Sequence, residues 1–391
     1  MKKLTILGST GSIGLNTLDV VREFPEKFRV EALSCRSSIK QLVEQIKEFQ
    51  PKTVCVNKNE QAAELRELFP DKEIVCGTKG LIQISRDPGA DMVVSGIVGA
   101  AGLKPTFSAL KAGKTVAVAN KEPLVMAGEL FMQTAIKAGA KLLPADSEHN
   151  AIFQVLNNEP PESIARLFLT ASGGSLRDHP LDEFKHISPA QALDHPNWEM
   201  GSKITIDSTT MMNKGLEIIE AHWLFDTPVQ NIEVVMHRES IIHSMVEFVD
   251  GSFQAQMGLP DMRVPLAHCL GWPDRLPLKI PRMKPISLEA LHFEAIDHKR
   301  FPCLSISIGA AKQGGSAPAV LNGANEKVVA SFLEGDINFL AISKTLRSVM
   351  QQFYKTISVP EFPSFLSHIR TIEDAVNADH WGREQAMRLM K

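Results

Sequence analysis

Cysteine is scarce in this sequence: the five that occur, Cys35, Cys55, Cys76, Cys269 and Cys303, include no C-x-x-C pair. An odd set without close pairs fits neither a disulfide framework nor a thiolate zinc site, so the thiols are expected to be reduced, as in the cytoplasm. Long apolar runs are missing as well. No stretch approaches the ~20 residues that span a bilayer, which excludes membrane insertion as an expectation. Met1-Lys2-Lys3 and the short run Leu4 to Leu7 lack the apolar core of a secretory signal, and the chain is expected to begin without one. Nor is there an excess of positive charge. With 42 Lys and Arg against 45 Asp and Glu, the net charge is −3, which supplies no broad basic field for a nucleic-acid partner.

What is present is length and rhythm. A chain of 391 residues, 44% hydrophobic and 22% charged, is too long for one core and predicts two or three domains. From residue 1 to 145, short apolar runs (LTILG, FRVEALS, TVCVN, DMVVSGIVG, TVAVA) alternate with helical patterns such as IGLNTLDVVREF and IKQLVEQIKEF. Such alternation requires parallel strands, and the near-continuous apolar runs imply burial on both faces. The expectation is an α/β fold whose N-terminal domain is a Rossmann-like, doubly wound sheet. Over 146–272 the runs ARLFLTAS, KITIDS, NIEVVMH, SMVEFVD and SFQAQMG read as strands of an α+β domain with a mixed or antiparallel sheet. A hairpin signal stands at Asp250-Gly251. Prolines at 273, 277, 281 and 285 forbid a stable helix and mark a linker over 273–300. The Ala-rich periodic segments beyond it predict a small C-terminal helical domain over 301–391.

The first chemical signal is Gly8-Ser9-Thr10-Gly11-Ser12-Ile13-Gly14, placed between a strand and an amphipathic helix. The spacing is G-x-x-G-x-x-G, a variant of the dinucleotide fingerprint. Free backbone N–H groups and the positive end of the helix dipole both favour a pyrophosphate at such a turn. The second strand ends not in an acid but in Cys35-Arg36-Ser37-Ser38. A guanidinium and hydroxyls suit a 2′-phosphate, so NADP is preferred over NAD, with Arg36 and Ser37 as contacts. Ser37 or Ser38 capping the next helix is compatible with the same use.

Two acidic segments follow. Asp146-Ser147-Glu148-His149 comes after the strand-like KLLPA, and in extended chain its two carboxylates share a face, an arrangement suited to a hard divalent ion. Taken alone, the segment is explained more simply by a solvated surface pair or a helix N-cap at Asp146 or Ser147. Asp207 to Glu217 (DSTTMMNKGLE) follows KITI, read as a strand, and runs into a helix with Asn213, Lys214 and Glu217 on one face. Glu217 would add a third carboxylate, and Ser208, Asn213 and Lys214 offer donors for a phosphate. A capped helix with an i,i+3 Lys–Glu pair remains the alternative.

Taken together, GSTGSIG, Asn120-Lys121-Glu122, DSEHNA from Asp146, ASGG from Ala171, HPNW from His195, MMNKGLE from Met211 and PAVLNGANE from Pro318 resemble the 1-deoxy-D-xylulose 5-phosphate reductoisomerase family, over nearly the whole chain. The resemblance implies reduction and isomerisation of that sugar phosphate with NADPH and Mg²⁺ or Mn²⁺, by a cytoplasmic homodimer. It implies cofactor contacts at Thr10, Gly11, Ser12, Ile13, Asn120, Glu122 and Gly201, and a metal held by Asp146, Glu148 and Glu217. Substrate contacts would be Lys121, Ser147, Glu148, Ser172, His195, Ser208, Asn213, Lys214 and Glu217, with Lys121, Glu148 and His195 closest to the chemistry. Residues 172–201 are expected to form a lid that carries Trp198 over the ligand. His149 and His243 are weaker candidates. Arg238-Glu239 stands where relatives often carry Pro-Gln, and Pro123 where serine is usual.

Overall fold

The computed structural model describes residues 1–157, 159–195 and 200–390. The chain divides into two compact units, each drawn from several segments: Met1–Pro123, Phe131–Asn150 and Asp261–Ile280 form one, and Leu124–Leu130, Ala151–Pro260 and Pro281–Lys391 the other.

The first unit is built on seven strands, β1 (Lys2–Leu7), β2 (Phe28–Cys35), β3 (Thr53–Val56), β4 (Glu73–Cys76), β5 (Met92–Ser95), β6 (Thr115–Val118) and β7 (Lys141–Pro144). All neighbours are parallel, in the order β4-β3-β2-β1-β5-β6-β7. This is the expected doubly wound, Rossmann-like sheet. Strands such as β3 and β5 are buried at every position, as their unbroken apolar runs required. The order reverses at β1, so the crevice beyond the carboxyl ends of β1 and β5 is the topological switch point where such sheets take their ligands. Helix Ser12–Glu23 follows β1 and buries Gly14, Thr17, Leu18 and Val21, one stripe at helical spacing.

Helix Arg263–Gly271 also belongs to this first unit, although it follows the strands of the second in sequence. It packs against helix Ser12–Glu23, and Lys2 Nζ donates to Leu270 O at 2.6 Å.

The second unit holds β8 (Ile164–Ala171), β9 (Ile232–Met236), β10 (Ile242–Phe248) and β11 (Phe253–Met257), in the order β11-β10-β8-β9. The sheet is mixed: β8 and β9 are parallel and the other pairs antiparallel. The β10–β11 hairpin turns at Asp250-Gly251, as the sequence indicated. Its core joins Leu167, Leu169 and Val246 of the sheet to Ile218 of helix Met212–Leu224 and to Phe301 and Leu304. The helices Pro302–Gln313, Ala317–Leu333, Phe339–Ile357 and Ile372–Leu389 complete this unit. Among the described residues, no helix is long and apolar enough to cross a membrane.

Two local expectations are corrected. KITI is not a strand but part of helix Ser202–Thr209. A four-residue apolar run has no period of its own, and Thr205 and Ile206 are simply the buried side of two helical turns. The D-x-E segment is not extended either, because helix Ser147–Val155 starts one residue after Asp146 and places Glu148 in its first turn.

Candidate active site

The glycine-rich turn leaves β1 at the switch point. Gly8 has φ +83°, and a Cβ there would lie 2.9 Å from Gly96 O, so only glycine passes this close to the loop after β5. A Cβ on Gly14 would come within 2.4 Å of Gly8 O and Ser9 Cα, whereas at Gly11 it would meet nothing closer than 3.5 Å. Gly11 is the N-cap of helix Ser12–Glu23 and supplies no side-chain cap, leaving the helix end open to an anion. The turn is held from the side: Ser34 Oγ accepts from Gly8 N–H at 2.9 Å, and Ser9 Oγ donates to Gln45 Oε1 at 2.7 Å. Thr10 Oγ1 donates to Cys35 Sγ at 3.2 Å, which brings the turn beside the end of β2. Arg36 and Ser37 come next and are exposed. Ser38 occupies the N-cap of helix Ile39–Phe49 without a side-chain cap bond.

Asn120, Lys121 and Glu122 follow β6, and all three are buried. Asn120 Nδ2 donates to Gly99 O at 3.0 Å and also to Ile97 O, and its Oδ1 accepts from Glu122 N–H at 3.1 Å. It therefore ties the loop after β6 to the loop after β5. Lys121 Nζ lies 2.6 Å from Asp146 Oδ2, beyond the end of β7. Asp146 Oδ1 accepts from Ser147 N–H at 3.0 Å, and Ser147 Oγ donates to Glu148 Oε2. His149 is fully buried, with Nδ1 3.9 Å from Asp146 Oδ2.

A residue to which the sequence assigned no role of its own anchors this acidic turn. The Asn150 amide donates to Pro144 O at 2.8 Å and lies 3.1 Å from His268 Nδ1, on helix Arg263–Gly271. Burial, reinforced by Arg275, lowers the His268 pKa to about 4, so the ring is neutral and its Nδ1 can accept from the amide.

In the second unit, His195 Nε2 stands 3.1 Å from Ser172 Oγ and 3.2 Å from Ser208 Oγ. One imidazole thus joins two hydroxyls from distant segments of the chain. Its pKa is pushed down to about 4, first by burial and then by the Arg177 charge. Arg177, overlooked in the sequence, donates to Ser172 O at 2.7 Å and so also sets the ASGG turn. Helix Met212–Leu224 begins after Met211, a non-glycine residue at φ +60°, a strained conformation typical of functional turns. On this helix Asn213 Nδ2 donates to Glu217 Oε1 and Lys214 Nζ to Glu217 Oε2, each at 2.5 Å. Lys214 and Glu217 are both buried, so the i,i+3 pair exists but is no solvated surface pair. Asp207, also buried, takes Lys203 at 2.9 Å and Asn325 Nδ2 at 2.8 Å. The NGANE motif therefore braces the helix that carries Ser208.

Gly201 is the exposed N-cap of helix Ser202–Thr209 in the second unit. His243 is half-buried on β10. Trp198 lies outside the described residues. Arg238 grips Asp178 with two bonds of 2.8 Å and Glu294 at 2.6 Å, while Glu239 accepts from His292, so the Arg-Glu pair serves as a clasp between loops.

A doubly wound parallel sheet with a glycine-rich turn at its switch point, and with a buried lysine paired to a carboxylate at the same carboxyl edge, defines a dinucleotide-dependent oxidoreductase. Residues 4–128 match the family model for 1-deoxy-D-xylulose 5-phosphate reductoisomerase, residues 142–225 that for its C-terminal domain, and residues 257–385 a further DXP reductoisomerase C-terminal domain. The chain belongs to the 1-deoxy-D-xylulose 5-phosphate reductoisomerase family. It is 49% identical over 392 residues to the protein of that name from Chlorobaculum tepidum, covering 100% of both chains. To that of Thermodesulfovibrio yellowstonii it is 47% identical over 386 residues, covering 99% and 98%. Among solved structures, a DOX-P reductoisomerase in complex with NADPH, fosmidomycin and magnesium superposes with TM-score 0.93 at 40% identity, covering 100% of this chain and 98% of that one. The Zymomonas mobilis enzyme in complex with NADPH gives 0.91 at 40%, covering 100% and 99%.

Proposed function

We propose that this protein converts 1-deoxy-D-xylulose 5-phosphate into 2-C-methyl-D-erythritol 4-phosphate, with NADPH as hydride donor and Mg²⁺ or Mn²⁺ as metal, in non-mevalonate isoprenoid precursor biosynthesis. The observation that carries this reading lies within the first unit. The glycine-rich turn after β1, Lys121 after β6 and Asp146 after β7 all stand at the carboxyl ends of one parallel sheet. A reducing cofactor and an acidic, lysine-bearing reaction centre therefore share an edge.

The residues fit both groups. Gly8 and Gly14 let the turn close against backbone that a Cβ would strike, Gly11 leaves the helix end uncovered, and Thr10, Gly11, Ser12 and Ile13 offer the start of a helix to a pyrophosphate. Arg36 and Ser37 take the 2′-phosphate, and Asn120, Glu122 and Gly201 make the remaining cofactor contacts. Asp146, Glu148 and Glu217 would hold the metal: three carboxylates are the hard oxygen donors that Mg²⁺ and Mn²⁺ select. When bound, the ion polarises the substrate's oxygens and the nicotinamide supplies the hydride.

The chain's own side chains do the rest. Lys121 donates to a substrate oxygen near the reacting centre, and its burial strengthens that bond. Ser172, Ser208, Asn213 and Lys214 hold the phosphate and orient the reacting end. His195, neutral in the working pH range, bridges the two serines, and Ser147 and Trp198 add substrate contacts. The same reading is of a cytoplasmic protein and of a homodimer, the dimer supported by edge strand β11 with its exposed Phe253 and Met257.

The test follows NADPH absorbance with 1-deoxy-D-xylulose 5-phosphate and Mn²⁺, then with EDTA in excess. Metal-dependent oxidation is expected. Bound NADPH without oxidation would overturn the reading.

A further inference from the structure

The same two side chains assigned to the phosphate, Asn213 and Lys214, hold both carboxylate oxygens of Glu217, which is assigned to the metal. We propose that Asn213 and Lys214 couple the two ligands by exchanging Glu217 for the substrate phosphate, so that phosphate and divalent ion favour one another's binding. The inference rests on the phosphate and metal assignments above.

Both charges of the Lys214–Glu217 pair are held in a buried place. Glu217 is 0% exposed and Lys214 4%, so each must be neutralised by a partner close at hand. Paired with each other they sum to zero. A phosphate monoester brings about two negative charges near pH 7. If it draws the Lys214 ammonium and the Asn213 amide to itself, Glu217 loses the ammonium charge and these two donors. A divalent cation then supplies positive charge to Glu217 in place of the departed ammonium. The reverse order works equally: an ion on Glu217 releases Lys214 and Asn213 as donors for an incoming phosphate.

The two donors and their acceptor lie within about one turn of a single helix, which makes the exchange a change of side-chain rotamer rather than of fold. The helix itself is fixed from outside. A Cβ on Gly215 would lie 2.2 Å from Ser307 Cβ, so helix Pro302–Gln313 presses against the backbone between the donors and Glu217. The first unit shows a parallel arrangement, with Lys121 on Asp146. By reciprocity, whatever phosphate does to metal affinity, metal does to phosphate affinity by the same factor.

The experiment measures the Mn²⁺ dissociation constant of the full chain from the free-Mn²⁺ electron paramagnetic resonance signal, with and without inorganic phosphate as the probe. A protein-free titration corrects for Mn²⁺–phosphate association. In the unsubstituted protein, phosphate should tighten Mn²⁺ about five-fold or more, the lower end of measured couplings between sites. Lys214→Met should bind Mn²⁺ more tightly than the parent without phosphate, and should lose the phosphate effect. A gain in affinity cannot come from a chain that fails to fold. Asn213→Ser, which keeps the charge, should shift Mn²⁺ affinity the same way by a smaller factor, and Lys214→Arg should restore the coupling. Mn²⁺ binding that depends on Glu217 yet is indifferent to phosphate, or is weakened by Lys214→Met, overturns the exchange. Mn²⁺ binding unchanged in Glu217→Gln overturns the metal assignment itself.

Discussion

Lys121 and Asp146 form a close ion pair, 2.6 Å between Nζ and Oδ2, with side chains only 4% and 14% exposed. One follows β6 and the other β7, neighbouring strands of the parallel sheet, so the pair is fixed by sheet topology rather than by flexible surface chain. That makes the ammonium a positioned donor and not a solvated charge. Lys121→Gln, which keeps length and a donor but removes the charge, is expected to lower kcat about 100-fold or more while NADPH affinity changes little. Steady-state kinetics with a separate NADPH binding titration checks this, and a near-normal kcat would remove Lys121 from the chemistry.

The two glycines of the turn should respond very differently to one methyl group. Gly14→Ala places a Cβ 2.4 Å from Gly8 O and Ser9 Cα, an overpacking expected to cost about 1–3 kcal/mol and to weaken NADPH binding. Gly11→Ala meets only Gly8 O at 3.5 Å, so its thermal stability should stay close to that of the parent. Thermal melts of the two variants side by side decide it.

Glu217 and the glycine-rich turn belong to different compact units. Glu217→Gln is therefore expected to abolish turnover and leave the NADPH dissociation constant within about two-fold. A large loss of NADPH affinity would show that the two functions are not separable.

His195 and His268 both carry pKa values lowered from 6.5 to about 4, chiefly by burial. The folded chain keeps these rings neutral, whereas the unfolded chain takes up a proton on each near pH 6.5. Their contribution to stability is complete above pH 6.5 and is lost as pH falls from there toward 4. Melting temperature should drop across that window, and less steeply in His268→Gln. Arg177→Gln removes the second cause of the His195 shift. A limb attributable to His195 should then move upward in the pH profile of kcat/KM.

Strand β11 is an edge strand, and Phe253 on it is 53% exposed. If that edge pairs with a second copy, Phe253→Asp should lower the sedimenting mass from dimer to monomer. An unchanged dimer would move the interface elsewhere.

Much of this protein was written locally. The alternation of apolar runs with helical stripes specified the parallel sheet, because strands buried on both faces leave a continuous apolar signature. The glycine spacing specified the turn, because only glycine takes φ +83° against Gly96. Asn213, Lys214 and Glu217 met as their helical spacing required. Tertiary structure decided what lies far apart in sequence or carries no period. KITI became a helix because four apolar residues fit either state and only packing chooses. Helix Arg263–Gly271 returns to the first unit to place His268 beside Asn150, Asn325 reaches Asp207, and His195 gathers Ser172 and Ser208. Such contacts depend on the whole chain having closed its loops around a packed core, and no short pattern encodes that closure.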